Sequence, residues 1–376
     1  MANRYWVGGT SAWDLTVGTK WAATSGGAGG QTVPTGADDV FFDAASGTVT
    51  VTSSVIAKTV SSLNFTGFTG TFTGTLNTLV QGSLTLSLGM TYSNTGNVTF
   101  NAATTGTANI TCAGKSLAST TCNNAAGIFN FLDAFSCSVM TLTAGTYNVY
   151  GSFTCTGYVL TLTTGTLNCN SNTFNIYGFN SSSGTNVRTL NIGTGNAFWT
   201  ITGSFGWVAS INGPMTIIGG TGFNNTIYFT DTTNTALLIG SNTQYPFDNI
   251  YFNRGASTGA INFFLNVSAG STYTNFIDNG TAAHTISFSP SRTYTFGHFY
   301  ARGSAGNIIT ITSSGASLVF NKSPSGLVNL DYVTVSAINS SPTNTWYAGP
   351  NSTIVSGANW ILTAPPTRKL GGAGVG

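Results

Sequence analysis

TLTTGTLNCNSNTFNIYG, residues 161–178, holds no charged side chain, and Thr, Asn or Ser fills almost every second position. Apolar residues come in pairs two apart, Leu160/Leu162, Leu167/Cys169 and Phe174/Ile176, which is the period of a half-buried strand. The pairs return every seven residues, so each predicted strand is short and a corner follows at once. The segment just upstream makes the same moves: MTLTAGTYN at 140–148 aligns with LTLTTGTLN at 160–168. Thr141, Leu142, Thr143, Gly145, Thr146 and Asn148 recur unchanged twenty positions later, and Phe153/Cys155 answers to Phe174/Ile176 at a spacing of twenty-one. A repeat near twenty residues, made of three short strands with Gly or Asn at the corners, predicts an all-β chain folded as a parallel β-helix, or β-solenoid. One coil cannot bury its own apolar face, so stacking is obligatory. Outward Thr, Asn and Ser are expected to hydrogen-bond along the stack, where like charges about 4.8 Å apart would repel.

Composition agrees. The chain of 376 residues has 48 Gly, 25 Phe, 5% charged residues, nine Asp and no Glu, against about 25% charge in ordinary domains. Few helix-surface residues and many Thr, Val, Phe and Tyr favour strands, and 41% hydrophobic content excludes intrinsic disorder. A net charge of +2 with singly scattered basic residues, Arg368-Lys369 being the sole cluster, gives no footprint for nucleic acid. No run of eighteen apolar residues marks a membrane span, so no membrane insertion is expected. MANRYWVGGTSAW at the start lacks an apolar signal region, which predicts folding in a cytoplasm. Cys112, Cys122, Cys137, Cys155 and Cys169 form no C-x-x-C pair. Cys155 and Cys169 take inward strand positions, as small core hydrophobes, and a zinc site is disfavoured by spacing. Sequons such as Asn97-Val98-Thr99 and Asn351-Ser352-Thr353 are chance products of a chain rich in Asn and Thr.

The organisation reads as an N-terminal cap or attachment segment at 1–46, a solenoid shaft at 47–335, a C-terminal cap at 336–363 and a Gly/Pro-rich tail at 364–376. Trp6, Trp13 and Trp21 crowd the start, and Trp346 and Trp360 the end. Solenoid ends need atypical closing units, and Trp suits them, one face packing on the last coil while its edge meets water. Beyond 210 the spacing loosens and Phe and Tyr rise, predicting wider coils or projecting loops. Tyr245, Phe247, Tyr251, Phe252, Phe263, Phe264, Tyr273, Tyr294, Phe296, Phe299 and Tyr300 exceed a narrow core's needs. They point to core plus subunit contact ahead of a glycan-stacking surface.

Candidate chemistry is sparse. Polysaccharide cleavage needs two carboxylates about 5–9.5 Å apart. Asp231 and Asp248, seventeen residues apart and followed by Asp278 and His284, form the best constellation on offer. The competing reading is corner Asp residues in Asx-turns. Asp38, Asp39 and Asp43 are the densest acidic cluster and the candidate cation site, against a structural turn. AGKS at 113–116 lacks the first Gly of a phosphate-binding loop, since Asn109 stands there, and GTGNAF at 193–198 fails G-x-G-x-x-G. His284 and His298 read as lone polar positions. No catalytic, cofactor or metal residue is therefore assigned.

RYWVGGTSAW, SGGAGG and VPTGADDVFFD near the start, WYAGPNS and GANWIL near the end, and the central TLNCNSNTFNIYGFNSSSGTNVRTLNIGTG resemble segments of β-helical structural proteins of tailed bacteriophages, with relatives in environmental bacterial genomes. The resemblance covers about a third of the chain and carries no catalytic residues. It implies a non-enzymatic virion component, a fibre, spike or capsid decoration, assembled in the host cytoplasm. The expected partners are other capsid or tail proteins, further copies in a homotrimer, and a host surface glycan in host attachment. A polysaccharide-depolymerising tailspike and a bacterial surface or filament-forming adhesin are the alternatives.

Overall fold

A computed structural model describes residues 1–54, 57–182, 184–209, 215–219, 222, 224–233, 235–241, 246–266 and 271–363. Tyr245 and the tail at 364–376, with Arg368 and Lys369, lie outside the described residues. The chain is a parallel β-solenoid. Its one helical turn among the described residues is a 3-10 segment, Ala44–Ser46.

Each coil visits three faces in a fixed order. On the first face Asp38–Phe41, Ser62–Asn64, Leu84–Thr85, Thr107–Thr111, 128–131, 146–149, Gly165–Asn168 and Arg188–Gly193 stack in parallel. The second face carries Ser11–Trp13, Thr50–Ser53, Thr71–Gly74 and Thr91–Asn94, and later Phe153–Cys155, Thr226–Phe229 and Asn249–Phe252. The third includes Leu160–Leu162, Ile261–Asn266, His284–Phe288 and Ile309–Ser313. The register anticipated from the repeat is the register observed: Leu142 lies beside Leu162, Thr146 beside Thr166, Asn148 beside Asn168, and Phe153 beside Phe174. Gly145 and Gly165 stack at the same corner with φ of +136° and +94°. A Cβ at Gly165 would sit 2.0 Å from the Gly145 carbonyl oxygen, so only glycine lets the coils close there.

Inward residues form one continuous core along the axis. Phe135, Phe153, Phe174 and Trp199 stack ring on ring over successive coils, with centroids 5.2, 5.2 and 4.2 Å apart. All five cysteines are buried and free, and Cys137 lies beside Cys155 in the ladder. Outward residues show the expected bonding along the stack. The Asn130 amide donates to Asn109 Oδ1 (2.9 Å), Asn148 to Asn130 (2.8 Å), Asn168 to Asn148 (2.8 Å) and Asn191 to Asn168 (3.2 Å). Arg188, fully buried, donates to the Ser181 carbonyl and ties down the base of the loop that follows.

Both ends are closed, though not as the tryptophan edges predicted. Ala2–Trp6 is already the first rung beside Asp38–Phe41, inside the segment read as a cap. The excursion at 14–37 folds back over it, and Trp21–Ala22 supplies the one antiparallel strand pairing among the described strands. Trp6, Trp13 and Trp21 are fully buried in a knot with Phe42, with no edge toward water. At the other end Trp346 and Trp360 pack on Phe320, and their indole N–H groups donate to the Ser341 and Ile338 carbonyls (2.9 and 2.8 Å). Past 226 the coils lengthen as expected: Asn249 pairs with Asn275, twenty-six residues on.

Two substitutions test the stack. Leu162→Ala, at a site with no exposure, should lose about 2–5 kcal/mol, read as a lowered denaturation midpoint. Asn148→Asp sets a carboxylate against Asn130 Oδ1 and should cost about 1–3 kcal/mol at neutral pH, relieved when acid protonates the new carboxyl.

Candidate functional site

All nine aspartates are engaged, and eight hold a backbone N–H. Asp14 accepts from Thr16, Asp38 from Thr35, Asp43 from Ser46, Asp133 from Cys112 and Ala113, and Asp231 from Thr233. Asp248 accepts from Gly222 and Asn225, Asp278 from Gly280, and Asp331 from Tyr332 and Asn351. Asp39 instead takes the Ser62 hydroxyl at 2.7 Å. A side chain one methylene long reaches amides in tight corners, which gives a physical reason for Asp without Glu in a chain made of corners.

This use separates the residues that the sequence grouped. Asp248 lies level with Asn225 before strand Thr226–Phe229, while Asp231 follows that strand. Four extended steps from 225 to 229 already cover about 13 Å, beyond the spacing of either glycosidase geometry. Asp231 and Asp248 therefore stand at opposite ends of one face, Asp231 in an Asx-turn with Thr233 and Asp248 holding the Gly222 and Asn225 amides of the preceding coil. Asp38, Asp39 and Asp43 also fail to converge: neighbours in a strand point to opposite sides, and Asp43 caps the 3-10 turn. Among the described residues no group of three or more His, Cys, Asp or Glu could hold a metal ion. Ala113 and Gly114 form a tight turn between strands, and His298 is an exposed strand residue.

Asp278 and His284 do meet. Their side chains are buried, with His284 Nε2 2.9 Å from Asp278 Oδ2 and Nδ1 2.9 Å from the Ala282 carbonyl. Both ring nitrogens are held against acceptors, so the protonated ring satisfies both contacts and neither nitrogen faces open space where a substrate proton could be taken. Burial, the largest influence, pushes the imidazole down, but the Asp278 hydrogen bond and charge with the Ala282 carbonyl outweigh it, leaving its pKa raised above 6.5.

The corner between the second and third faces holds Asp231, Arg254, Asp278 and Arg302. Arg254, which the sequence reading missed, donates from Nε to the Asp231 carbonyl (3.1 Å), from one terminal nitrogen to Gly259 (2.8 Å) and from the other to Ser257 Oγ (2.9 Å). Burial draws its pKa down, while the charges of Asp231 and Asp278 hold it up. Two coils further, Arg302 stands 3.7 Å from Asp331 with its side chain 54% exposed. A cavity of about 270 Å³ opens here, lined by Asp278, Asn279, Thr281, Tyr300, Arg302 and Ser304. It is a small polar recess with one accessible cation, suited to binding rather than to proton transfer. A lone Arg beyond a run of aromatics offered no periodic signal by which to find this corner.

The aromatics at 245–300 resolve mostly into core. Phe247, Phe252, Phe263, Tyr273, Tyr294, Phe296 and Phe299 are buried, whereas Tyr251, Phe264 and Tyr300 are half-buried. Tyr228 and Tyr251 stack outside, centroids 5.0 Å apart, so one face of each ring is taken by the other. Among the described residues no helix is long and apolar enough to cross a membrane. No protein-family model, curated protein or solved structure matches this chain.

The raised His284 pKa sets a pH signature. A raised folded-state pKa contributes stability fully below about pH 6.5 and loses it as pH rises through the folded value. Denaturation midpoints should therefore fall across that window in the wild type, and His284→Gln should flatten the fall.

Proposed function

We propose that this protein is a non-enzymatic structural shaft, a fibre, spike or capsid-decoration component of a tailed-bacteriophage particle. The observation that carries the reading is the single core that runs, among the described residues, from Trp6 to Trp360, with an asparagine ladder bonded along its outside from Asn109 to Asn191. Such a rod withstands the outside of a cell, because few segments open locally without breaking a ladder on each side. The placement on a phage particle rests on the sequence resemblance of the two ends and the NSSSGT loop. The β-solenoid fold is compatible with it and with other surface roles.

The non-enzymatic part is supported by the parting of Asp231 from Asp248 and by the engagement of both His284 ring nitrogens. Partners on this reading are neighbouring virion proteins and two further copies in a homotrimer, with a host glycan as the surface met. The polar recess at Tyr300 and Arg302 favours the depolymerase alternative among the described residues, as a subsite without an acid and base pair.

Mass spectrometry of purified particles should find the chain at a fixed copy number, and light scattering of the isolated protein should give a trimer. Incubation with host capsule or lipopolysaccharide should release no reducing sugar. Release that is abolished by Asp231→Asn or Asp248→Asn would replace this reading with the tailspike enzyme, and end-to-end polymers would replace it with the filament.

A further inference from the structure

The second face near the N-terminus carries a feature that the structural role does not use. Strands Thr50–Ser53, Thr71–Gly74 and Thr91–Asn94 pair in parallel without a register shift, placing Thr50, Thr71 and Thr91 in one row and Thr52, Thr73 and Ser93 in the next. Thr48 and Thr69 begin a third row, their hydroxyls 3.0 Å apart. Thr48, Thr50, Thr69, Thr91 and Ser93 are exposed, and Thr52, Thr71 and Thr73 are half-buried. Beneath them Val51 and Phe72 are locked into the core, Phe72 against Trp13. The result is a stiff, uncharged grid of hydroxyl and methyl groups in register over three rungs.

This grid differs from the asparagine ladder in one respect. The ladder spends its donors on itself, whereas among the described residues none of the hydroxyls of Thr50, Thr52, Thr71, Thr73, Thr91 and Ser93 has a hydrogen-bond partner. The grid spans roughly 10 Å by 13 Å, on the order of 130 Å², against about 800 Å² per partner in a stable protein interface. Without charge it has nothing to pair with an ion, a phosphate or a lipid headgroup.

We propose that this face binds ordered water, and through it the surface of ice. Successive rungs repeat at about 4.8 Å. Water molecules hydrogen-bonded at about 2.75 Å in tetrahedral order place their second-neighbour oxygens about 4.5 Å apart. Hydroxyls along each row therefore match the oxygen repeat closely, and each γ-methyl sits against water that already has restricted orientations. Since the core fixes the grid beforehand, little ordering entropy is lost on contact. A smaller grid recurs on the third face, with Thr285, Thr310, Thr334 and Thr353 in register beside Ser287, Thr312 and Ser336.

Nanolitre osmometry of the purified full chain tests this. The wild type should open a gap between melting and freezing temperatures and slow ice recrystallisation. Thr71→Lys should lose most of the gap, Thr71→Lys with Thr310→Lys more of it, and Tyr150→Lys, at an exposed corner outside every threonine row, should leave it unchanged. Circular dichroism melts must show each variant folded, and Thr71→Val, which keeps the shape without the hydroxyl, serves if the lysine variant is not. The proposal is overturned by a wild type with no gap, by a gap indifferent to Thr71→Lys and Thr71→Val, or by a Thr71→Lys change in oligomeric mass, which would make the face a contact between copies.

Discussion

Every feature of this molecule depends on one constraint: successive coils lie in register, about 4.8 Å apart, each supplying the hydrogen-bond partners the next one lacks. A strand of three residues is worth nothing alone in water. Held between two neighbours it satisfies its backbone on both sides, and its inward side chain meets identical company above and below. The Phe153–Phe174–Trp199 stack and the Asn130–Asn148–Asn168 ladder are the inner and outer expressions of the same register.

The constraint explains the composition. At this repeat a column of lysines or glutamates would repel itself, whereas a column of amides bonds to itself and a column of hydroxyls is neutral. Charge is therefore sparse and falls mostly at corners and strand ends, as with Lys58, Arg188, Asp278 and Lys322. Aspartate serves there because its short side chain reaches the amides of a tight turn, as at Asp133 across to Cys112 and Ala113. Arg254 and the Asp278–His284 pair occupy corners too, filling gaps left where the coils widen beyond the twenty-residue repeat.

Chemistry is limited by the same rule. Residues near in sequence but on opposite sides of a corner are carried to different ends of a face, so sequence proximity misleads in a solenoid. Asp231 and Asp248 were within one coil length and lie a strand apart. Residues one coil length apart, by contrast, touch. The stacked threonines came together in this way although nothing joins them locally.

The sequence by itself determined the fold, the coil length, the inward and outward sets and the pairing of Leu142 with Leu162, because a period of two nested in a period near twenty has one geometrical solution. It also marked the ends through their tryptophans. Only the tertiary structure decided how the 14–37 excursion buries Trp21 against the first rung, which carboxylate meets His284, and that both nitrogens of that ring are engaged. Those outcomes rest on the width of each corner and the depth of each side chain, and neither is periodic, so neither leaves a trace in the spacing of residues.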